Sequence, residues 1–470
     1  MKKYAFICVT ICIALSSLVA KADTSSVVAV GDSMMVLSDI ISKGLPVLYI
    51  QTVDSEEPTC DYVSAPAGCM GKSITNATKV PGRLTISKSG QVVYDSGDYI
   101  EDESGMTIRI RGNTSAYAEK KPYKIKLQKK ADLLLRGKDS IYKDKNWILL
   151  KDEKLYNKIG FKVNELMEMQ WTPAYEYVNV ILNGEYLGLY MMVESVKRNV
   201  DCRLNVDKTG FVFEFDPYWW NIDLYVKSRI FYPFNLMNYT FKYPDPEEIS
   251  NDQLDYFVNL TESLEKAVVD GKYEEYIDTK SFASWLLAQD ILGNWDGGGS
   301  NYYLTKYDNT EKSKIMMGCL WDFSGIMYTK DKWSNNHSGW FYYIYLMDDM
   351  KFLSEYKNRW YEISPILFDE MQNWLNDYAS SQEATELNKS LEMDRIRWNT
   401  DYGDVYQSLN VAANWFSTRK IWLADAIDAM SGIHGVTIKP ENHYYFDLNG
   451  RRKTIPSKGF NINNGKIWIK

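Results

Sequence analysis

Histidine is almost missing from this chain: three residues in 470, at His337, His434 and His443. A zinc cage or a Ser-His-Asp triad has little to build on. Cysteine is scarce too. Two of the six lie in the apolar N-terminal stretch, which leaves Cys60, Cys69, Cys202 and Cys319, with no Cys-x-x-Cys spacing. Cys60 and Cys69 share one Pro- and Gly-containing loop and are a candidate pair, as exported proteins allow, although the sequence does not fix the pairing. Cys319 lies in an apolar run and is expected as a buried thiol. An excess of positive charge is also lacking, with 54 Lys and Arg against 62 Asp and Glu. A basic stripe for nucleic acid is therefore not expected. The richest basic run, Lys120 to Lys130, is accounted for by a strand with alternating lysines. After the first twenty residues no apolar run is long enough to span a bilayer.

What is present begins at the N-terminus. Lys2 and Lys3 precede an apolar run from Tyr4 to Val19, and Ala20-Lys21-Ala22 has the small-residue pattern of a cleavage site. Residues 1–22 thus read as a signal peptide, with Asp23 as the first mature residue. The expected location is outside the cytoplasm: periplasmic, cell-surface or extracellular. Cleavage removes three lysines and no acids, taking the formal charge from −8 to −11. A hydrophobic content of 45% is that of a folded chain. The length allows two or three domains, or one large one.

The pattern along the chain is α+β. Residues 23–100 read as a β-rich N-terminal part, with Leu45 to Thr52 as a strand and two strands flanking the turn at Gly90. Met106 to Arg111 and Lys121 to Gln128 alternate apolar and charged residues, which is strand period. Asn183-Gly184, between Tyr175 to Leu182 and Tyr186 to Glu194, is a strong hairpin signal. Tyr156 to Met169, Glu247 to Gly271 and Thr279 to Leu292 read as helices, the last ended by Gly293. Asn301 to Lys306 and Lys314 to Trp321 read as a second hairpin. Lys351 to about Met430 is helical. A linker over Gly432 to Pro440 leads to a short β tail, residues 437–470, with turns at Asn449-Gly450 and Asn464-Gly465.

One segment carries chemistry. After the helix ends at Gly293, a glycine-rich loop holds Asp296, and Asn301 follows at the start of the hairpin. The second strand is expected to end in Trp321-Asp322. Phosphoryl transfer needs a carboxylate near the acceptor hydroxyl, plus oxygen ligands that hold Mg²⁺ on the phosphates. Asp and Asn suit that hard cation, so scarce histidine is no obstacle. Glycines 297 to 299 allow close approach of a ligand. Asp and Asn in such loops are also ordinary turn formers. A phosphate site further needs a lysine held by a carboxylate. Lys124 or Lys126 can supply the first and Glu194 the second, although alternating lysines on a strand also suit a plain solvated face. Arg111-Gly112-Asn113 just before that strand can lie over a nucleotide.

Several stretches, in this order, resemble the CotH family of spore-coat-type atypical kinases. They are Ile108 to Asn113, Lys120 to Leu127, Asn146 to Leu150, Asn183 to Tyr190 leading to Glu194, Phe213-Glu214-Phe215-Asp216, Asn294 to Leu304, Leu320 to Gly325, and the Trp-rich end from Arg395 to Ile427. The resemblance begins near residue 45, with residues 101–430 as the kinase-like core. It implies an atypical protein-kinase-like fold, with a β-rich N-terminal part and a C-terminal helical part. It implies ATP and Mg²⁺ as cofactors and an unidentified protein as Ser/Thr acceptor. By position it makes Asp296 the catalytic Asp and Asn301 and Asp322 the metal ligands. Lys124 or Lys126 with Glu194, and Arg111, would serve the phosphates. Ser324 departs from the pattern, standing where a second acid is expected. The tail resembles short C-terminal modules used by exported proteins for sorting or attachment. Two other functions fit the residues: a catalytically inactive kinase-like scaffold or envelope binding protein, and a glycan-associated protein using the many Tyr and Trp with Glu214 and Asp216.

Overall fold

The computed structural model describes residues 26–31, 33–137, 140–230, 237–297, 301–339 and 341–430, together with four short tail strands. The expected signal peptide, the 432–440 linker, both tail turns and residues 298–300 of the glycine-rich loop lie outside the described residues. The architecture is mixed α+β, with strands dominating before residue 200 and helices after 250.

The N-terminal strands are β1 (Val27–Val30), β2 (Ser33–Val36), β3 (Val47–Thr52), β4 (Asp61–Ser64), β5 (Lys72–Thr75), β6 (Val80–Lys88), β7 (Gln91–Asp95), β8 (Met106–Ile110), β9 (Tyr123–Ala131), β10 (Asp144–Leu150), β11 (Tyr175–Leu182) and β12 (Glu185–Glu194). Strands β10-β9-β8-β6-β3-β11-β12 pair in that order, and β10 pairs again with β12, so the sheet closes on itself as a barrel. The expected boundary near residue 100 falls inside this barrel, between β7 and β8.

Alternation decides what fills it. Met106, Ile108 and Ile110 of β8 and Tyr123, Ile125 and Leu127 of β9 point inward, joining Leu48, Leu84, Trp147 and Val180 in one core. Arg109 and Lys124, directly paired across the two strands, point outward. The β11–β12 hairpin turns at Asn183 (φ 50°) and Gly184 (φ 80°), the left-handed pair that a two-residue turn requires. The Asn183 side chain also accepts hydrogen bonds from the Thr52 N–H and hydroxyl, both at 2.9 Å.

A second sheet follows: β13 (Phe211–Asp216), β14 (Tyr225–Val226), β15 (Asn238–Tyr243), β16 (Tyr302–Lys306) and β17 (Ile315–Met317), ordered β14-β15-β13-β16-β17. One face carries Phe213, Phe215, Tyr239 and Leu304 into a large core shared with the helices. The other carries Glu214, directly opposite Thr240 and Tyr303, and two residues on, Asp216.

The helices are α1 (Leu37–Ile41), α2 (Tyr156–Leu166), α3 (Asn251–Val269), α4 (Thr279–Leu292), α5 (Asn336–Gly339), α6 (Tyr343–Leu346), α7 (Met350–Ala379), α8 (Gln382–Trp398) and α9 (Val405–Ala429). Helix α4 is buried on all sides from Phe282 to Leu292, so it has no solvent face and runs through the core. Asp278 caps its start by accepting from the Ser281 N–H at 2.8 Å, and left-handed Gly293 ends it. None of the helices among the described residues is long and apolar enough to cross a membrane. The tail strands pair as a four-stranded sheet of their own.

Two expectations are corrected here. The hairpin strand expected to reach Trp321 stops at Met317. Beyond it the Leu320 N–H donates to Asn164 Oδ1 on α2 at 2.7 Å instead of to a strand, and the chain leaves the sheet. Cys60 and Cys69 are free thiols, as are Cys202 and buried Cys319.

Candidate active site

Two loops running side by side build the site. The first leaves α4 at Gly293 and carries Asp296; the second follows β17 and carries Asp322. Four hydrogen bonds join or shape them. Asn294 Nδ2 donates to the Asp322 carbonyl at 3.1 Å, and Asn294 Oδ1 accepts from the Asp296 N–H at 3.3 Å. The Trp295 N–H donates to the Gly325 carbonyl at 3.2 Å, and the Met327 N–H to the Leu292 carbonyl at 2.7 Å. Gly325 sits so close that a Cβ there would lie 2.9 Å from both the Asp296 backbone nitrogen and its Cβ. Only glycine allows that approach. Asp322 itself is left-handed (φ 61°), a conformation an aspartate tolerates better than most residues, and its Oδ1 accepts from the Ser324 N–H at 3.1 Å. Ser324 therefore serves this turn through its backbone.

Asp322 is exposed and Asp296 half-buried. Burial, and then the charge of Asp322, push the Asp296 carboxyl up to about 6. The Tyr218 hydroxyl, raised by burial, also feels Asp296, Asp216 and Asp322. Asn301 is buried one residue ahead of β16, at the end of the strand that lies beside Glu214 and Phe215.

Cations face these acids from the barrel wall and from β15. Burial lowers the Arg111 guanidinium, against the pull of Tyr303, Asp322 and Glu214. Lys124 is pushed down to about 8, first by burial and then by Arg109, Arg111, Lys242 and Lys197. Among the described residues Lys124 forms no ion pair. On the second sheet Lys242 Nζ lies 2.8 Å from Glu214 Oε2. Burial pushes Glu214 up to about 7, with Asp216 adding to it and Lys242 and Arg111 opposing. Burial opposes charge on Lys242, but Glu214 and Asp216 outweigh it and raise the ammonium.

The site is pinned from behind. Buried Asp290, on the last turn of α4, accepts from His337 Nδ1 at 2.8 Å, from the Ser334 N–H at 2.8 Å and from the Tyr356 hydroxyl at 2.9 Å. Arg419 of α9 donates through Nε to the Asp290 carbonyl and through Nη1 to the Lys330 carbonyl, each at 2.8 Å. Burial alone would raise the Asp290 carboxyl, yet His337, the Ser334 N–H and Arg419 hold it below its usual range.

The structure thus links Asp296, Asp322, Arg111 and Lys124 as a series of electrostatic neighbours, each acting on the next. It does not join either lysine to Glu194. Trp147 of β10 stands directly opposite both Ile125 and Glu194, so Glu194 shares the inward face with Ile125. Lys124 and Lys126 therefore point to the other side of the wall. Glu194 is buried and bonded instead to Arg136 at 2.8 Å and to the Ala174 N–H at 3.1 Å. Lys126 is exposed, two residues beyond Lys124. The carboxylate-held lysine of this group is Lys242, which the sequence reading missed. Its signal was the alternation of Asn238 to Tyr243, with Thr240 on the face opposite Tyr239 and Phe241. Glu214 and Asp216 lie two residues apart on one strand, tied to Lys242 and to the Tyr218 N–H (2.7 Å) and Thr240 hydroxyl (3.1 Å). They do not face each other across an open groove as a glycosidase pair would.

Among the described residues no group of three or more His, Cys, Asp and Glu is placed to hold a metal. The model of one protein family, described as CotH kinase protein, matches residues 108–423, more than half of the chain. No curated protein matches it.

Proposed function

The chain belongs to the CotH kinase protein family, and from that premise we propose that it transfers the γ-phosphoryl group of ATP to a Ser or Thr hydroxyl of a protein, with Mg²⁺. The observation that carries this reading is the grouping of charges, in which Asp296 feels Asp322, Asp322 acts on Arg111, and Arg111 acts on Lys124 and Lys242.

Each side suits one part of the reaction. Arg111 and Lys124 present positive charge that burial makes costly and that no carboxylate fully balances, so a polyphosphate would relieve it. Lys242, held by Glu214, offers a third cation of fixed position. Asp322 and Asn301 would hold Mg²⁺. The fit rests on the two acids: Asp296 is raised because Asp322 stands near it, a charge conflict that a hard divalent cation relieves. One carboxylate with Asn301 suffices, since Mg²⁺ usually keeps several waters and takes phosphate oxygens. When bound, it neutralises charge on the β- and γ-phosphates.

Asp296 accepts the proton. The acceptor oxygen bonds to the γ-phosphorus as the bond from that phosphorus to the β–γ bridging oxygen breaks. The bridging oxygen keeps the electron pair and leaves with ADP, while the hydroxyl proton passes to the Asp296 carboxylate. The basic and apolar start of the chain supports an acceptor outside the cytoplasm.

The test is thermal melting of the chain from Asp23 onward with and without ATP and Mg²⁺. Ligands that bind the native state raise its melting temperature by mass action. A Mg²⁺-dependent rise that Asp322→Ala abolishes is the expected result. No shift at millimolar nucleotide would sink the kinase reading in favour of an inactive scaffold.

A further inference from the structure

The last turn of α4 carries two buried polar side chains in succession. Asp290 accepts from His337, the Ser334 N–H and the Tyr356 hydroxyl. Gln289, 0% exposed, is its opposite: among the described residues neither its Oε1 nor its Nε2 has a hydrogen-bond partner. A buried carboxamide unpaired at both ends opposes folding, because it has given up its bonds to water for none in return. Its buried neighbours on the helix, Leu286, Leu287 and Leu292, are apolar, as packing alone would ask of this position too. An unpaired group of this kind is unusual in a folded chain and calls for a reason.

The reason lies in where it points. A Cβ on Gly297 would lie 2.4 Å from Gln289 Oε1 and 2.9 Å from Asn294 Nδ2, so both amides lie against the residue that follows Asp296. The Asn294 amide is committed, donating to the Asp322 carbonyl and accepting from the Asp296 N–H. The Gln289 carbonyl accepts from the Asn294 N–H at 3.0 Å, which fixes the start of the loop on the helix. One amide thus ties the near side of Asp296 to Asp322. The other lies at the far side, beside the Asp296–Gly297 peptide, with a donor and an acceptor both unused. Glycine at 297 puts no side chain between them, and it tolerates the change of φ that turning this peptide requires.

We propose that Gln289 is a positioning residue for the transfer: with nucleotide, Mg²⁺ and acceptor in the site, its carboxamide bonds to the Asp296–Gly297 peptide and fixes the Asp296 carboxylate on the acceptor hydroxyl. This rests on the phosphotransfer reading above. Gln289 touches no reacting atom and acts only through the loop backbone. A bond made in the loaded site and not in the free chain favours the reacting state over the resting one, which is the form in which an interaction speeds a reaction.

The experiment compares the mature wild type with Gln289→Met and Gln289→Glu, using radiolabelled ATP, Mg²⁺ and casein as acceptor. Methionine has about the size of glutamine and cannot make the bond. Without ligand, Gln289→Met should melt at or up to about 2 °C above wild type, because an apolar group replaces an unpaired amide. It should keep the Mg²⁺·ATP melting shift and the KM for ATP within about two-fold, and lose about 10- to 100-fold in kcat. The buried carboxyl of Gln289→Glu stays protonated near neutral pH and can both donate and accept. That variant should come within about three-fold of wild-type kcat at pH 7 and fall behind it by pH 9, as the carboxyl ionises. A purely structural role would not produce this pH dependence.

Wild-type kcat in Gln289→Met overturns the proposal and leaves the kinase reading standing. So does a melting temperature several degrees below wild type in that variant, which would mean that the amide is paired in the free chain, and so does a Gln289→Glu as slow as Gln289→Met at pH 7. A wild type that shows the nucleotide shift but labels neither casein nor itself has no transfer for Gln289 to position, and overturns the proposal as well. Loss of both shift and transfer in the wild type removes the kinase reading, and the positioning role with it.

Discussion

The two sides of the site are built by different means. On the barrel side Lys124 is aimed by a strand ladder. It is paired with Arg109 and with Ile148, and alternation alone sends it outward. On the helical side Asp296 and Asp322 are aimed by loops that need Gly293, Gly325 and a left-handed aspartate. A ladder spreads its tolerance over many hydrogen bonds. A loop pair held by a few contacts does not, so the acids should be the sensitive half of the site and the cations the graded half.

Four predictions bear on that contrast. The largest effect is expected at Asp296→Ala, which should cut transfer by about 10² to 10⁴ while leaving the Mg²⁺·ATP melting shift in place. A shift lost together with the rate would make Asp296 a binding residue and blur the division. Next is Asp290→Ala. It strips the acceptor from His337, Ser334 and Tyr356 behind the site and should cost about 3 to 5 kcal/mol in urea unfolding. An unchanged midpoint would mean the loops are held elsewhere.

Lys124→Met should weaken nucleotide affinity by about ten-fold, read by titration at low salt, and leave the fold intact because no carboxylate is stranded. The smallest effects concern pH. Asp296 must be ionised and Lys124 charged, so kcat/KM should rise through about 6 and fall through about 8. Stability should move the other way at the acid limb. A carboxyl raised in the folded state binds more protons there than unfolded, so stability declines as pH rises from the ordinary Asp value to about 6. Asp296→Asn should therefore melt a few degrees higher at pH 7 and lose that advantage below pH 4. An equal advantage at both pH values would place the raised carboxyl in doubt.

The ladder side was also the more legible in sequence. Ile108, Ile125 and Leu127 announced their strands by period, and Asn183-Gly184 announced its turn. Helix α4 was visible to the residue, with Gly293 as its stop. The loop side was legible only as a set of residue types: Asp296, Asn301 and Asp322 stand out, but not the end of β17 five residues before Asp322. Register was the deeper obstacle. Nothing local in Lys124, Lys126 or Glu194 tells that one side chain faces into the barrel and the others out, because that depends on closure of β10 on β12. Lys242 was hidden for the same reason, since its value comes from Glu214 on a neighbouring strand.

Arg419 sets an order of events. It lies in the final long helix, yet it fastens the carbonyl of Asp290 and the stretch beyond Asp322. A chain that emerges N-terminus first has its barrel, both acids and all the cleft cations before this clamp exists. Until α9 arrives, the parts of the site are present but not fixed against one another. Activity should therefore be a property of the finished chain only, silent in any fragment that stops short of residue 419, however well its barrel folds.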